Sequence, residues 1–312
     1  MRKYLFSFIF GVLFSIPVFA CLNGEEMILA NQKMLYSDYE SEVPYGHDFA
    51  DKESLKVFLV SLEKGYQETK DLDFLSDKGF VLIILGKYEE AISLYKKIES
   101  LEPNRYSTAS NIGTAYELIG NNTEALKWME KAVKINKNSH FNSEWIHINI
   151  LKAKIKGAQF INSKFLIGHD FGNEKSPTSD LNKDELYVLK KQIYYQLNER
   201  TSFVKPEDQI IANLLFDLGN IAYLLDEKND AFEDYKLAAK YGFSNPILEE
   251  RIHLCSTIKR LNAGGKIEKV IRFNTREPKV PQLIATLISI FTLLFAGLIV
   301  YRFREKIKLI MK

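Results

Sequence analysis

The side chains best suited to hold a metal or move a proton are five histidines (His47, His140, His147, His169, His253) and two cysteines (Cys21, Cys255). A zinc site draws three or four such ligands together, commonly at short spacing. His140 and His147 are seven residues apart and can share a helix face, yet no cysteine or carboxylate cluster completes a ligand set beside them. His169-Asp170 and His47-Asp48 stand among turn-forming residues, where surface or capping roles explain them. Cys21 and Cys255 are too far apart in the chain to predict a pairing, and Cys255 reads as a buried thiol. Gly113 and Gly120 are no phosphate loop, because no Gly-Lys-Ser/Thr element follows them. Tyr187, Tyr194, Tyr195, Phe216 and Tyr223 read as core rather than as a platform for stacking bases. The expectation is therefore no catalytic residue, no metal and no cofactor.

The elements that position these residues are helices in a repeating arrangement. With 46% hydrophobic and 26% charged residues the chain has the composition of a folded protein, and a net charge of +2 argues against nucleic acid as a partner. Residues 72–105 align with 106–139: Gly79 falls on Gly113, Gly86 on Gly120, and Glu90-Ala91 on Glu124-Ala125. The offset of 34 residues is the period of a helix–turn–helix repeat. In the second copy Gly113 and Ala132 let two helices approach, Tyr116, Trp128 and Met129 fill the space around Ala125, and Gly120 suits a left-handed helix end. A third copy spans 212–245, with Gly219, Ala231, Tyr235 and Ala238 in the small and aromatic positions and Asp226 replacing the turn glycine. Between the second and third copies the period leaves room for about two degenerate helix pairs. Ser143–Lys156 and Asp184–Asn198 have helical apolar spacing, and Gly168–Asn182 reads as a polar loop. Lys52–Thr69 predicts one further helix, and 21–50 an irregular or hairpin cap.

These motifs resemble the tetratricopeptide-repeat (TPR) family over 51–262. The resemblance implies an all-α solenoid whose first helices line a concave face that binds peptides or folded proteins. Carried onto this sequence, that face is Asp73, Ser76 and Phe80 in the first copy, with Ile83 beyond them. In the second it is Ser107, Ser110, Asn111 and Thr114, followed by Glu117, and in the third Asn213, Phe216, Asn220 and Tyr223. Packing between repeats is an equal explanation for Phe80, Ile83 and Phe216. The Lys/Asn/Arg clamp by which some TPR proteins hold a peptide's terminal carboxylate is missing, since Ser76 and Phe80 occupy two of its places.

The two ends carry a different signal. Arg2 and Lys3 precede an apolar run from Leu5 to Phe19 that closes on Ala20, which is the anatomy of a signal peptide over 1–20. Val18-Phe19-Ala20-Cys21 also resembles a bacterial lipobox, with Phe19 a poor fit, so cleavage before Cys21 with or without its lipidation stays open. Leu283–Tyr301 is an uncharged run of about 19 residues, close to the ~20 needed to cross a bilayer as a helix. It predicts a transmembrane segment at 282–302, after a linker at 263–281 and before a cytoplasmic tail at 303–312. Basic residues flank it on both sides, so its sidedness rests on the signal, which exports the repeats to the periplasm. The order of signal, repeats and anchor resembles that of TPR proteins of the Gram-negative envelope. The functional expectation is a membrane-anchored scaffold for a protein or peptide partner. The alternative is an accessory subunit of an envelope signalling or enzymatic system that acts through its membrane helix. The few residues after Tyr301 are too short for an output domain of their own.

Overall fold

A computed structural model describes residues 26–38 and 41–262, with side chains as far as Ser256. The expected signal peptide, Cys21 and the segments 263–281, 282–302 and 303–312 lie outside the described residues. Among those described, no helix is long and apolar enough to cross a membrane. The described residues form one compact unit by their contacts.

A small antiparallel hairpin, β1 (Glu26–Ile28) and β2 (Met34–Ser37), opens the described chain and is the one departure from an all-helical fold there. Leu29, Leu35 and Tyr36 from this cap pack on Leu55, Phe58 and Leu62 of α1 (Lys52–Thr69). Asp51 starts α1 by accepting from the backbone N–H groups of Glu53 and Ser54, and Lys70 ends it in a left-handed conformation.

The repeat geometry then follows in two consecutive antiparallel pairs, α2 (Leu72–Ile84) with α3 (Tyr88–Leu101) and α4 (Tyr106–Leu118) with α5 (Asn122–Ile135). A third pair is α9 (Gln209–Leu224) with α10 (Lys228–Lys240). In each pair a glycine on the first helix meets a large side chain of the second. A Cβ built on Gly79 would lie 2.5 Å from the Tyr95 ring, one on Gly113 2.6 Å from Met129 Sδ, and one on Gly219 2.7 Å from the Tyr235 ring. Each pair also turns through one left-handed residue: Gly86 at φ 73°, Gly120 at φ 81° and Asp226 at φ 67°. Asp226 therefore does the glycine's job despite its side chain, which pairs with Lys228.

The stretch between the second and third pairs departs from the periodic expectation. It holds α6 (Glu144–Lys156), the single turn α7 (Ser163–Leu166) and the long α8 (Lys183–Phe203), not two regular pairs. The polar loop after α7 has no apolar period with which to build a partner helix. Instead α8, started by a capping box of Asn182 and Glu185, runs on for 21 residues and lies against the first-helix face of the repeats. Arg200 reaches Glu117 of α4, and Phe203 meets Phe80 of α2 with ring centroids 6.4 Å apart. The described chain closes with α11 (Ile247–Asn262) beside α10.

Candidate functional site

The second repeat brings a polar stripe to the inner face of the solenoid, because Ser110, Thr114 and Glu117 recur at helical spacing along α4. The last turns of α8 stand opposite, with Tyr195, Gln196, Glu199, Arg200 and Phe203 at the same kind of spacing. Between these walls lies a cavity of about 240 Å³. His147 and Lys154 of α6 border it on one side, and Phe80, Leu118, Phe203 and Val204 give it an apolar portion.

Glu117 is the centre of the polar part. Its Oε1 accepts from Lys154 at 2.7 Å and from Arg200 Nη1 at 2.7 Å. Its Oε2 meets His147 Nε2 at 2.6 Å and accepts from Arg200 Nη2 at 3.2 Å. Burial opposes its charge, but Arg200, His147 and Lys154 outweigh that and hold the carboxyl well below the usual range. Glu144 sits behind it, bonded to His140 and to the Tyr106 hydroxyl at 2.6 Å. Burial opposes the charge of Glu144 too, and the two histidines overcome it and push its pKa down. For His147, burial and the Arg200 charge disfavour protonation, yet Glu117 and Glu144 prevail and raise its pKa above the ordinary value. Arg200, Lys154 and His147 thus converge on one buried carboxylate.

His140 reaches this cluster from a strained backbone. His140, Phe141 and Asn142 have φ of 52°, 55° and 59°, three consecutive non-glycine residues in the left-handed region. Each costs about 1–2 kcal/mol there. The turn is held by Gln192, whose Nε2 donates to the carbonyls of Phe141 and Asn142 at 3.1 and 3.2 Å, and by stacking of His140 on Tyr195 at 4.6 Å. Strain of this kind persists where the surroundings over-determine it, and such places cluster at ligand sites.

A second set of contacts fixes α8 from outside. The segment before α1 crosses its end: Gly46 N–H donates to Asn198 Oδ1 at 2.9 Å and His47 N–H to Ser202 Oγ at 2.8 Å. The His47 ring bridges Asp38 at 2.6 Å and Glu199 at 3.2 Å while stacking on Tyr36. Burial opposes its charge, but Glu199 and Asp38 outweigh it and raise its pKa. Gly46 is at φ 89°, and a Cβ there would lie 2.8 Å from the Ser202 nitrogen. The backbone can pass only as glycine.

The sequence-derived face divides three ways. Phe80, Ser110, Asn111 and Thr114 do line the cavity. Asp73 pairs with Arg105, Ser76 is buried with its carbonyl accepting from the Tyr95 hydroxyl at 2.8 Å, and Ser107 is half-buried outside the cavity lining. The third copy contributes nothing to the cavity. Phe216 stacks on Phe243 at 4.2 Å with the Arg251 guanidinium over its ring. Asn220 is fully buried and accepts from Tyr235 and Arg251. The Asn213 amide donates to the Gln209 carbonyl at 2.7 Å, and Tyr223 lies under Lys228. For Phe216, packing is the role the structure assigns.

His140, Glu144, His147, Lys154, Tyr195 and Arg200 lie outside the set of site residues that the sequence pointed to. The spacing of His140, Glu144, His147 and Lys154 is the signal that would have found the first four, since it repeats at helical intervals. Arg200 had none, because it lies 83 residues from its partner Glu117. No group of three or more His, Cys, Asp or Glu among the described residues is arranged to hold a metal ion.

The tetratricopeptide-repeat family model matches residues 72–105 and 107–139. These segments are tetratricopeptide repeats. The match covers α2 to α5; the third pair lies outside it and repeats its geometry. Two solved structures are similar at low identity. One is a thermophilic TPR protein of Thermus thermophilus, with 13% identity, 66% of this chain and 93% of that chain covered, and a TM-score of 0.32. The other is a TPR protein from Parabacteroides merdae, with 18% identity, coverage of 66% and 79%, and a TM-score of 0.29. No curated protein matches this chain.

Proposed function

We propose that this chain is a membrane-anchored periplasmic scaffold that binds another protein through its tetratricopeptide repeats and performs no catalysis of its own. The observation that carries the reading is the pair of contiguous repeats, a module built to present a concave surface to protein partners. Export and anchoring draw on the sequence alone: the basic and apolar start before Cys21 and the uncharged run Leu283–Tyr301. The partner meets the part of the inner face that α8 leaves uncovered, near Asp73 and Ser107.

A photo-crosslinking residue placed at Ser107 in cells tests the binding. A single defined adduct from Ser107, with none from the exposed outer position Glu130, is the expected result. Adducts from neither position, or equally from both, overturn it. Protease added after permeabilising the outer membrane tests the sidedness, and digestion of the repeats only after permeabilisation is expected.

A further inference from the structure

The strap that crosses the end of α8 at Gly46-His47 also carries Glu42, and Glu42 belongs to a cluster of carboxyl groups. Lys190 of α8 is only 2% exposed and donates to Glu42 at 2.8 Å and to Glu227, the residue before α10. Asp230 and Asp234 follow on the same face of α10, because 227, 230 and 234 recur at intervals of three and four. The charges of Lys190, Glu227 and Glu42 act on both Asp230 and Asp234, so the group is contiguous. Within it one cation faces four carboxyl groups. Lys228 and Lys236 are committed beside it, to Asp226 and Glu233.

Asp234 is the member that packing does not explain. It is fully buried, and neither of its carboxyl oxygens has a hydrogen-bond partner among the described residues. Ala231, Tyr235 and Ala238 supply the packing of α10 in the core, to which a carboxyl adds nothing. Burial, and after it the Asp230 charge, holds the Asp234 pKa well above the usual carboxylate range, Lys190 notwithstanding. An unpartnered polar group in such a place carries a penalty that a bound cation would lift. Tyr45 of the strap stands beside it: the side chain is 61% exposed, yet the charges of Glu233, Asp234 and Asp230 act on its hydroxyl.

We propose that the strap, α8 and α10 together form a receptor site for one arginine side chain of a protein partner. A guanidinium presents five donors in a planar fork, which suits several carboxyl groups on neighbouring elements, and its face stacks on an aromatic ring. Glu42 and Asp230 meet it at the surface. Exposed side chains change rotamer within nanoseconds, so the cation reaches Asp234 as Tyr45 turns aside, and the Tyr45 ring then covers it. A divalent ion fits less well, because no such group among the described residues is arranged to hold a metal and Lys190 already stands among these carboxylates. The site rests on the reading of this chain as a protein-binding scaffold. It lies on the strap, α8 and the second helix of the third pair, outside the two matched repeats.

The test is fluorescence anisotropy of the full chain in a non-ionic detergent, at physiological salt, with a labelled Gly/Ser peptide carrying three arginines. Saturable one-to-one binding is expected, and the same peptide with citrulline for arginine should bind about tenfold weaker or worse. Asp234→Asn keeps the shape and removes no bond of the free protein, so it should leave the Tm unchanged while weakening the peptide about tenfold. Glu42→Gln, at an exposed position of the strap, should weaken it about threefold. Glu130→Gln, an exposed acid of α5, should leave it unchanged. No binding at millimolar concentration, equal binding of the citrulline peptide, indifference to both Asp234→Asn and Glu42→Gln, or an equal loss from Glu130→Gln overturns the proposal. Full displacement of the peptide by millimolar calcium gives the site to a divalent ion and overturns it too. The readout uses the purified chain and a peptide, so it is separate from the Ser107 adduct and either conclusion can fail alone.

Discussion

Glu117 meets Arg200, Lys154 and His147 at once, and it does so with only 7% of its side chain exposed. Breaking such a cluster by removing its anion leaves several desolvated cations without compensation, which is more costly than the net worth of any one pair. Glu117→Gln is expected to destabilise the protein by about 3 kcal/mol in urea denaturation. Lys154→Met, which removes the most exposed of the three cations, should cost less than about 1 kcal/mol. The His47 bridge behaves differently, because its pKa is raised in the folded state. Its stabilisation is therefore complete below the ordinary histidine value and is lost as pH rises through the folded pKa. His47→Gln should cost about 2 kcal/mol at pH 6, and the gap between variant and parent should narrow steadily toward pH 9. Glu117 and Glu144 carry the opposite sign: with depressed pKa values, their contribution is lost as pH falls below the usual carboxylate range. A gap that widens with pH for His47→Gln would show that its ring is held neutral.

The helix pairs were legible because each uses the same three devices at the same spacing: a small residue for close approach, an aromatic or Met opposite it, and a left-handed turn. Gly79 and Gly86 separate two of them. At Gly79 an added Cβ runs into the Tyr95 ring, which is fully buried and held by its bond to Ser76, so Gly79→Ala should cost about 2–3 kcal/mol. At Gly86 nothing lies within 4 Å, and only the left-handed backbone penalises Gly86→Ala, by about 1 kcal/mol. Asp226 holds the same turn without being glycine, and Asp226→Gly should raise the Tm by about 2 °C. Differential scanning calorimetry of the three variants orders them, and an Asp226→Gly Tm below the parent would mean that the bridge to Lys228 matters more than the backbone. What could not be read was the direction α8 takes. Its apolar period gave a helix, but the bond from Arg200 to Glu117 and the contact of Phe203 with Phe80 depend on residues far apart in sequence. Ser110, Asn111 and Thr114 were therefore legible as inner-face residues, while the opposite wall of their cavity was not.

Within the described residues, the strap and α8 tie the start of a short solenoid to its later helices. A plain repeat array is held by neighbour-to-neighbour contacts, and its ends fray independently. Here Gly46, His47 and Thr201 tie the start of the described chain to the end of α8, more than 150 residues away. Arg200 and Phe203 then tie α8 to the first and second repeats. Such long-range ties make unfolding more nearly all-or-none than in an open array. The same ties lie wholly within residues 26–262, so a chain ending at Asn262 should fold without the apolar run at 283–301. Its expected behaviour is a single cooperative transition, coincident by near- and far-UV circular dichroism, with a Tm within about 3 °C of the full chain in detergent. Gly46→Ala in that shorter chain attacks the strap at its tightest point, where a Cβ has no room and the φ is unfavourable. It should split the transition, with α8 and the hairpin lost before the helix pairs. One coincident transition in the variant, merely shifted to lower temperature, would show that the repeats and α8 cohere without the strap.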